Sequence, residues 1–302
     1  MPGSYRVLGV DVSLGRGLDV VLLVDTAVKE TWSRLGSTNL GQLLEELEPD
    51  AVAIDAPPKL GLGLLRDPGE AARLPVPPKP GTHVGRRVAE YELSRRGIGS
   101  HQTHFEEAKL FSWMTAGFEA FDAVAAAGYP AFFGVGSPDH AALEVFPYAS
   151  YVALAGCLSP GRRWRLPWRR AILAGAGLSG LPEDAGIDLV DAACAAFTGA
   201  RFLEGGGAFL GDAREGAIVL PVPSLADSYR RCAPPDAGPI HPARSVITPR
   251  LCACGCGLPV RHRFLPGHDG KRKAALWRLA RQGDEAMREL KERGWELPPE
   301  MR

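Results

Sequence analysis

Apolar positions change period twice in the first part of the chain. Residues 5–12 are rich in β-formers and include Asp11 near their end, and residues 18–24 (LDVVLLV) are a second run of the same kind. Leu14-Gly15-Arg16-Gly17 between them is a turn signal, so the pattern predicts a hairpin. Residues 30–35 supply a third strand. The apolar positions then become Leu40, Leu43, Leu44 and Leu47, the spacing of one helix face. Residues 51–54 (AVAI) return to a short buried strand, with Asp55 at its end. The predicted order is a three-stranded meander, a helix and a buried strand.

Residues 57–81 are dense in proline and glycine and read as a long loop, a length that in compact domains accompanies function. Helices are predicted over 84–96, stopped by Gly97, over most of 105–127, and over 147–156 and 168–174. Strands are predicted over 131–135, 143–146 and 215–220. The helix over 187–203 is rich in alanine, which allows close packing on a sheet. The order of strands and helices over residues 1–220 is that of an α/β domain. A proline-rich linker or strap follows over 221–249, then a small module over 250–302 with a helix from about 271 to 293.

Composition is that of a globular protein, 45% hydrophobic and 23% charged in 302 residues. No run of about 18 apolar residues occurs, so no membrane helix is expected. The start of the chain has no apolar signal region, which predicts a cytoplasmic protein. Net charge is zero but unevenly spread. Residues 250–302 carry 12 Lys/Arg against 7 Asp/Glu, or +5, and the remainder 23 against 28, or −5. A basic tail on an acidic body suits a nucleic-acid partner, because phosphate attraction needs local positive charge.

Five carboxylates stand where strands end or helices begin. Asp11 and Asp55 end strands, Glu144 interrupts the apolar run Leu143-Glu144-Val145-Phe146, and Asp188 and Asp191 lie three apart on one helix face. A lone aspartate after a strand is usually a turn residue or a cap. Acids at several strand ends together are costly unless paired or metal-bound, and an oxygen-ligand cluster selects a hard cation, Mg²⁺ or Mn²⁺.

Gly9-Val10-Asp11-Val12-Ser13, Ile54-Asp55-Ala56-Pro57, Arg87-x-x-Glu90-x-Glu92-Leu93, Glu144-Val145-Phe146-Pro147 and Asp188-x-x-Asp191-Ala192-Ala193 resemble, in that order, the DUF429 family, regarded as RNase H-like nucleases. The likeness runs from about Tyr5 to Pro221 and includes Trp113, Gly117 and Glu215-Gly216. It implies a central mixed sheet with three antiparallel strands first and helices on both faces. It also implies a catalytic set of Asp11, Asp55, Glu144, Asp188 and Asp191, with Asp11, Asp55 and Asp191 holding the metal. Glu144 belongs to that set only if it faces the metals. Arg87 and Glu90, one helical turn apart, are either a structural pair or contacts to substrate phosphate.

Cys252-x-Cys254-Gly255-Cys256 followed by His268 in Phe264-Leu265-Pro266-Gly267-His268-Asp269 offers three thiols and an imidazole, the donor set of a structural Zn²⁺ site. The stretch resembles a small CxCGC…GHD module attached to other proteins. Cys157, Cys194 and Cys232 are scattered and suggest no disulfide framework. Residues 161–170 hold five arginines and two tryptophans. Arg162, Arg163 and Arg165 are candidate phosphate contacts, and the bland reading is a surface helix anchored by tryptophan.

These observations converge on a two-metal nuclease acting on DNA or RNA. A nucleic-acid-binding adaptor without turnover would use the zinc-like module and basic tail instead. A nucleotide-binding phosphotransferase would need two glycine-rich phosphate loops, and only Leu14-Gly15-Arg16-Gly17 offers one.

Overall fold

β1 (Arg6–Ser13) and β2 (Gly17–Val24) form the expected hairpin in the computed structural model, which describes residues 4–13, 15–233, 250–251, 259–260, 276, 288 and 290. Gly15 and Gly17 turn the chain at φ +72° and +83°, a region that only glycine enters at little cost. β3 (Ala27–Leu35) completes the meander. α1 (Ser37–Leu47) buries Leu40, Leu44 and Leu47, three of the four leucines whose spacing predicted it. β4 (Ala51–Asp55) then returns parallel to β1.

α2 (Pro68–Ala72), α3 (Val88–Arg95) and α4 (Ser112–Ala126) precede β5 (Ala141–Val145), which lies parallel to β4. α5 (Pro147–Ala155), α6 (Arg165–Gly175) and α7 (Ile187–Leu203) follow. β6 (Ala208–Asp212) and β7 (Gly216–Leu220) finish the sheet, whose order is β3-β2-β1-β4-β5-β7-β6. This is a mixed sheet, with the antiparallel meander first, the parallel strands β1, β4, β5 and β7 after it, and β6 antiparallel at the far edge.

The two-residue period of the strands divides the core between two faces. Val7, Val21, Ala51, Ala53, Leu143 and Val145 pack with the alanine-rich α7, whereas Leu8, Val10, Val20, Val52 and Ile54 pack with α1 and α4. α7 lies so close to β1 that a Cβ on Gly9 would stand 2.0 Å from the Ala192 carbonyl oxygen. That contact explains the small residues on both partners.

Several boundaries differ from the sequence pattern. α3 begins at Val88, because Arg87 is extended and serves as N-cap, and α4 begins at Ser112, after an extended Phe111. Residues 131–135 form only a bridge, Ala131 to Ala142, and β6 goes unpredicted because its alternation is short and glycine-flanked. α6 starts at Arg165 and carries Pro167 in its first turn, where a missing N–H costs nothing.

Cys157 and Cys232 were not expected to pair. A disulfide joins them across a Cα separation of 5.2 Å, beside a bridge between Leu158 and Arg231. Part of the supposed linker thus belongs to the first of two units, Met1–Asp236, and Tyr229 is buried there. The second unit, Ala237–Arg302, contains the short pair β8 (Arg250–Leu251) and β9 (Pro259–Val260), and buried Leu276 and Leu290. Among the described residues no helix is long and apolar enough to cross a membrane.

Candidate metal centre

Strand parity decides which acids meet. Asp11, Asp19 and Asp55 keep step with Val7, Val21 and Ala53, so all three belong to the face that α7 covers. Asp11 is paired in register with Asp19 on one side and Asp55 on the other. α7 brings Asp188 and Asp191 over them. Carboxylate oxygens of Asp11, Asp55 and Asp191 lie within 4.8 Å of one another, and so do those of Asp11, Asp19 and Asp188. Asp11 is common to both groups.

Burial raises the Asp11 carboxyl far above the ordinary carboxylate range, and Asp55, Asp191 and Asp188 push it further. Asp55 is raised by burial and by Asp191. Asp191 is pushed up to about 6 by burial, against the pull of Arg169. Arg169 is itself buried, forms an ion pair with Asp191, and stacks over the Tyr151 ring at 5.1 Å. The Tyr151 hydroxyl donates to the Val190 carbonyl at 2.9 Å and fixes that ring under α7. The other Asp191 oxygen, Oδ1, is buried and has no hydrogen-bond partner among the described residues.

This donor set fits a hard divalent cation. Oxygens bound at about 2.1 Å to an octahedral Mg²⁺ are at most about 4.2 Å apart, which lies inside the 4.8 Å that bounds the first group. A cation would also supply the partner that Asp191 Oδ1 lacks and the charge that three neighbouring buried acids require. Asp188 is partly committed elsewhere, accepting from exposed Arg16 at 2.9 Å.

Glu144 joins neither group, although it lines the same cavity as Asp11, Asp55 and Asp188. Its strand neighbours Leu143 and Val145 face α7, so alternation turns Glu144 to the opposite side of the sheet. There it accepts both terminal nitrogens of Arg87, and Arg87 Nε donates to Glu90 at 3.0 Å. All three side chains are buried. Arg87 and Glu90 are therefore the structural pair and not exposed phosphate contacts. Glu215, noted in the sequence only as part of a motif, completes this network. Its carboxylate accepts from the backbone N–H of Leu62, Leu64 and Val88 at 2.9, 3.3 and 3.0 Å, tying the loop after β4 to α3.

In the arginine-rich stretch, Arg162, Arg163 and Arg165 are exposed, but Trp168 packs against Tyr148 and Tyr151 and anchors α6 to the core. Two site residues escaped the sequence pattern. Asp19 could have been found by counting back across the turn from Asp11, and Arg169 by its place with Leu166 and Leu173 on the buried stripe of α6. Cys252, Cys254, Cys256 and His268 lie outside the described residues.

A scan against protein-family models gives no match, and a search of curated proteins gives none. Among solved structures the chain is similar to RuvC from Thermus thermophilus, with a TM-score of 0.32 and 16% identity over 66% of this chain and 95% of that one.

Proposed function

We propose that the first unit is a divalent-metal-dependent nuclease that hydrolyses phosphodiester bonds of DNA or RNA, in keeping with the DUF429-like order of its motifs. The observation that carries this reading is the convergence of Asp11, Asp55 and Asp191 oxygens within 4.8 Å, with Asp191 Oδ1 buried and unpartnered among the described residues. Such a set is expensive to bury charged, and near neutral pH and above a cation is the partner that relieves it.

Asp11, Asp55 and Asp191 would hold Mg²⁺ or Mn²⁺. The second group, with Asp19 and Asp188, gives Asp11 the position of a shared ligand if two ions bind. When bound, such ions would supply activation of a water and stabilisation of the leaving oxygen, for cleavage to a 3′-hydroxyl and a 5′-phosphate. The chain's own contribution is placement: adjacent strands set the Asp11–Asp55 spacing, and Arg169 orients Asp191. Exposed Arg162, Arg163 and Arg165 are available for phosphate contacts. The cysteines of the C-terminal module with His268 are read as a structural zinc set.

The test is cleavage of single-stranded, duplex, hybrid and branched substrates with Mg²⁺ or Mn²⁺. Wild-type protein is expected to cut at least one of them, and Asp11→Asn and Asp191→Asn to cut none. Wild-type rates in both variants would overturn the assignment.

A further inference from the structure

The acidic group borders a cavity of about 270 Å³ whose lining includes Asp11, Asp55 and Asp188 and also His101, Trp113 and Phe146. Pockets for whole small-molecule ligands begin near about 300 Å³. This cavity has room for one nucleoside unit. The His101 ring meets Phe111 at 4.8 Å and Trp113 at 5.8 Å, both edge to face.

Trp113 is half-buried and packs on the core face of α1 and α4, but core packing does not account for its two partners. His101 is exposed and Phe111 is 47% exposed, so burial is not what holds them. The backbone that carries His101 is nevertheless fixed on both sides. Arg86 donates to the Ser100 carbonyl at 3.1 Å and to its hydroxyl at 2.9 Å, and the Thr103 N–H donates to both Glu90 oxygens at 3.0 Å. A Cβ on Gly61 would stand 2.5 Å from the Thr103 carbonyl oxygen, so the segment also rests against the loop after β4 where only glycine fits. Glu90 thus connects the Arg87 network to an aromatic wall beside the acids. A wall already in place lowers the entropy cost of binding.

We propose that His101 and Trp113, with Phe111 at the outer rim, form a stacking wall for an unpaired nucleobase of the strand whose phosphate reaches Asp11 and Asp55. The substrate is then single-stranded or splayed open at the cut. This rests on the nuclease reading. Every base has a π-face, and aromatic side chains bind it with little regard to sequence. A base inside a duplex offers only its edges in the grooves and cannot reach such a wall without leaving the stack.

The experiment uses the full chain with Mn²⁺ and a short oligodeoxynucleotide carrying one 2-aminopurine, offered single-stranded or fully paired. The single strand is expected to bind and be cut at least about tenfold better than the duplex, the scale of one base stack. His101→Ala/Trp113→Leu is expected to lose that preference and to leave 2-aminopurine emission unquenched. Trp113→Phe, which keeps a ring, retains both. Mn²⁺ binding by calorimetry and an unchanged circular dichroism spectrum establish that the double variant is folded with its acids in place. Equal cutting of both substrates by wild type, or unchanged single-strand affinity in the folded double variant, overturns the wall. Single-strand preference in binding with no cutting of any substrate overturns the nuclease reading and leaves the wall standing.

Discussion

Arg169 and Asp191 form a buried ion pair that occupies one carboxylate oxygen and leaves Asp191 Oδ1 without a partner among the described residues. Arg169 therefore holds the ligand in place without filling the position that a cation would take. Removing it isolates a buried acid. Arg169→Met is expected to lower stability without metal by about 3 kcal/mol, the scale for breaking a buried pair, and Mn²⁺ is expected to restore part of that loss. Thermal melts with chelator and with Mn²⁺ check this. Equal melting temperatures for wild type and variant in chelator would refute it.

The acids oppose one another when no cation is present, so the metal-free protein should weaken as pH rises. In the unfolded chain these aspartates lose protons near 3.8, whereas in the fold burial raises Asp191 to about 6 and moves Asp55 and Asp11 well above the carboxylate range. Raised folded values mean that their contribution is fully present below 3.8 and is lost as pH climbs through the folded values. The melting temperature in chelator should fall between about pH 5 and pH 9. Divalent ion should raise it by about 5–10 °C at saturation, and by more at pH 8 than at pH 6, since protons compete for the same oxygens.

Asp11→Asn separates chemistry from stability. The variant has no proton to lose at position 11, so in chelator it should melt higher than wild type by a few degrees at high pH, where the raised Asp11 carboxyl of the wild type is forced to ionise beside Asp55, and about equally at pH 6. It should gain nothing from Mn²⁺, and cleavage should fall by more than about a hundredfold, beyond the 10–100-fold of a lost outer partner. A melt series with paired activity assays reads both effects.

Glu144 gives the opposite signature. Glu144→Gln weakens the hold on Arg87 and leaves that guanidinium with Glu90 alone. Stability should drop by about 2–3 kcal/mol, while the Kd for Mn²⁺ should stay within about twofold, because no carboxylate of the first group has changed. Isothermal titration of Mn²⁺ distinguishes this outcome from the loss of binding that a metal ligand would show.

Asp11, Asp55 and Asp191 were legible in the sequence only as a joint pattern, two strand-end aspartates with an i,i+3 pair on a late helix, because each alone reads as a turn residue or a cap. Glu144 entered that pattern only conditionally, because an apolar run does not display parity. A residue one step from Val145 faces the other side of the sheet, where a buried arginine was waiting. Arg169 was hidden among exposed arginines that share its composition but not its helix face. Glu215 was recorded without a role, because its partners Leu62 and Val88 lie 153 and 127 positions away and no local pattern encodes such a reach. The hairpin, α1, β4 and α7 were readable from periodicity alone. The disulfide of Cys157 and Cys232 was not, because loop contacts 75 residues apart leave no periodic trace.

The placement of Asp191 on α7 has a consequence for the life of the chain. A ribosome makes the three acid-bearing strands first, and they can pair once Asp55 has emerged, yet the last ligand follows 136 residues later (191 − 55) on a helix that ends at Leu203. An unfinished or truncated chain that stops short of α7 would carry the sheet but no complete site. Emergence of α7 is thus the event that arms the centre, and products terminated before it would be inert by construction.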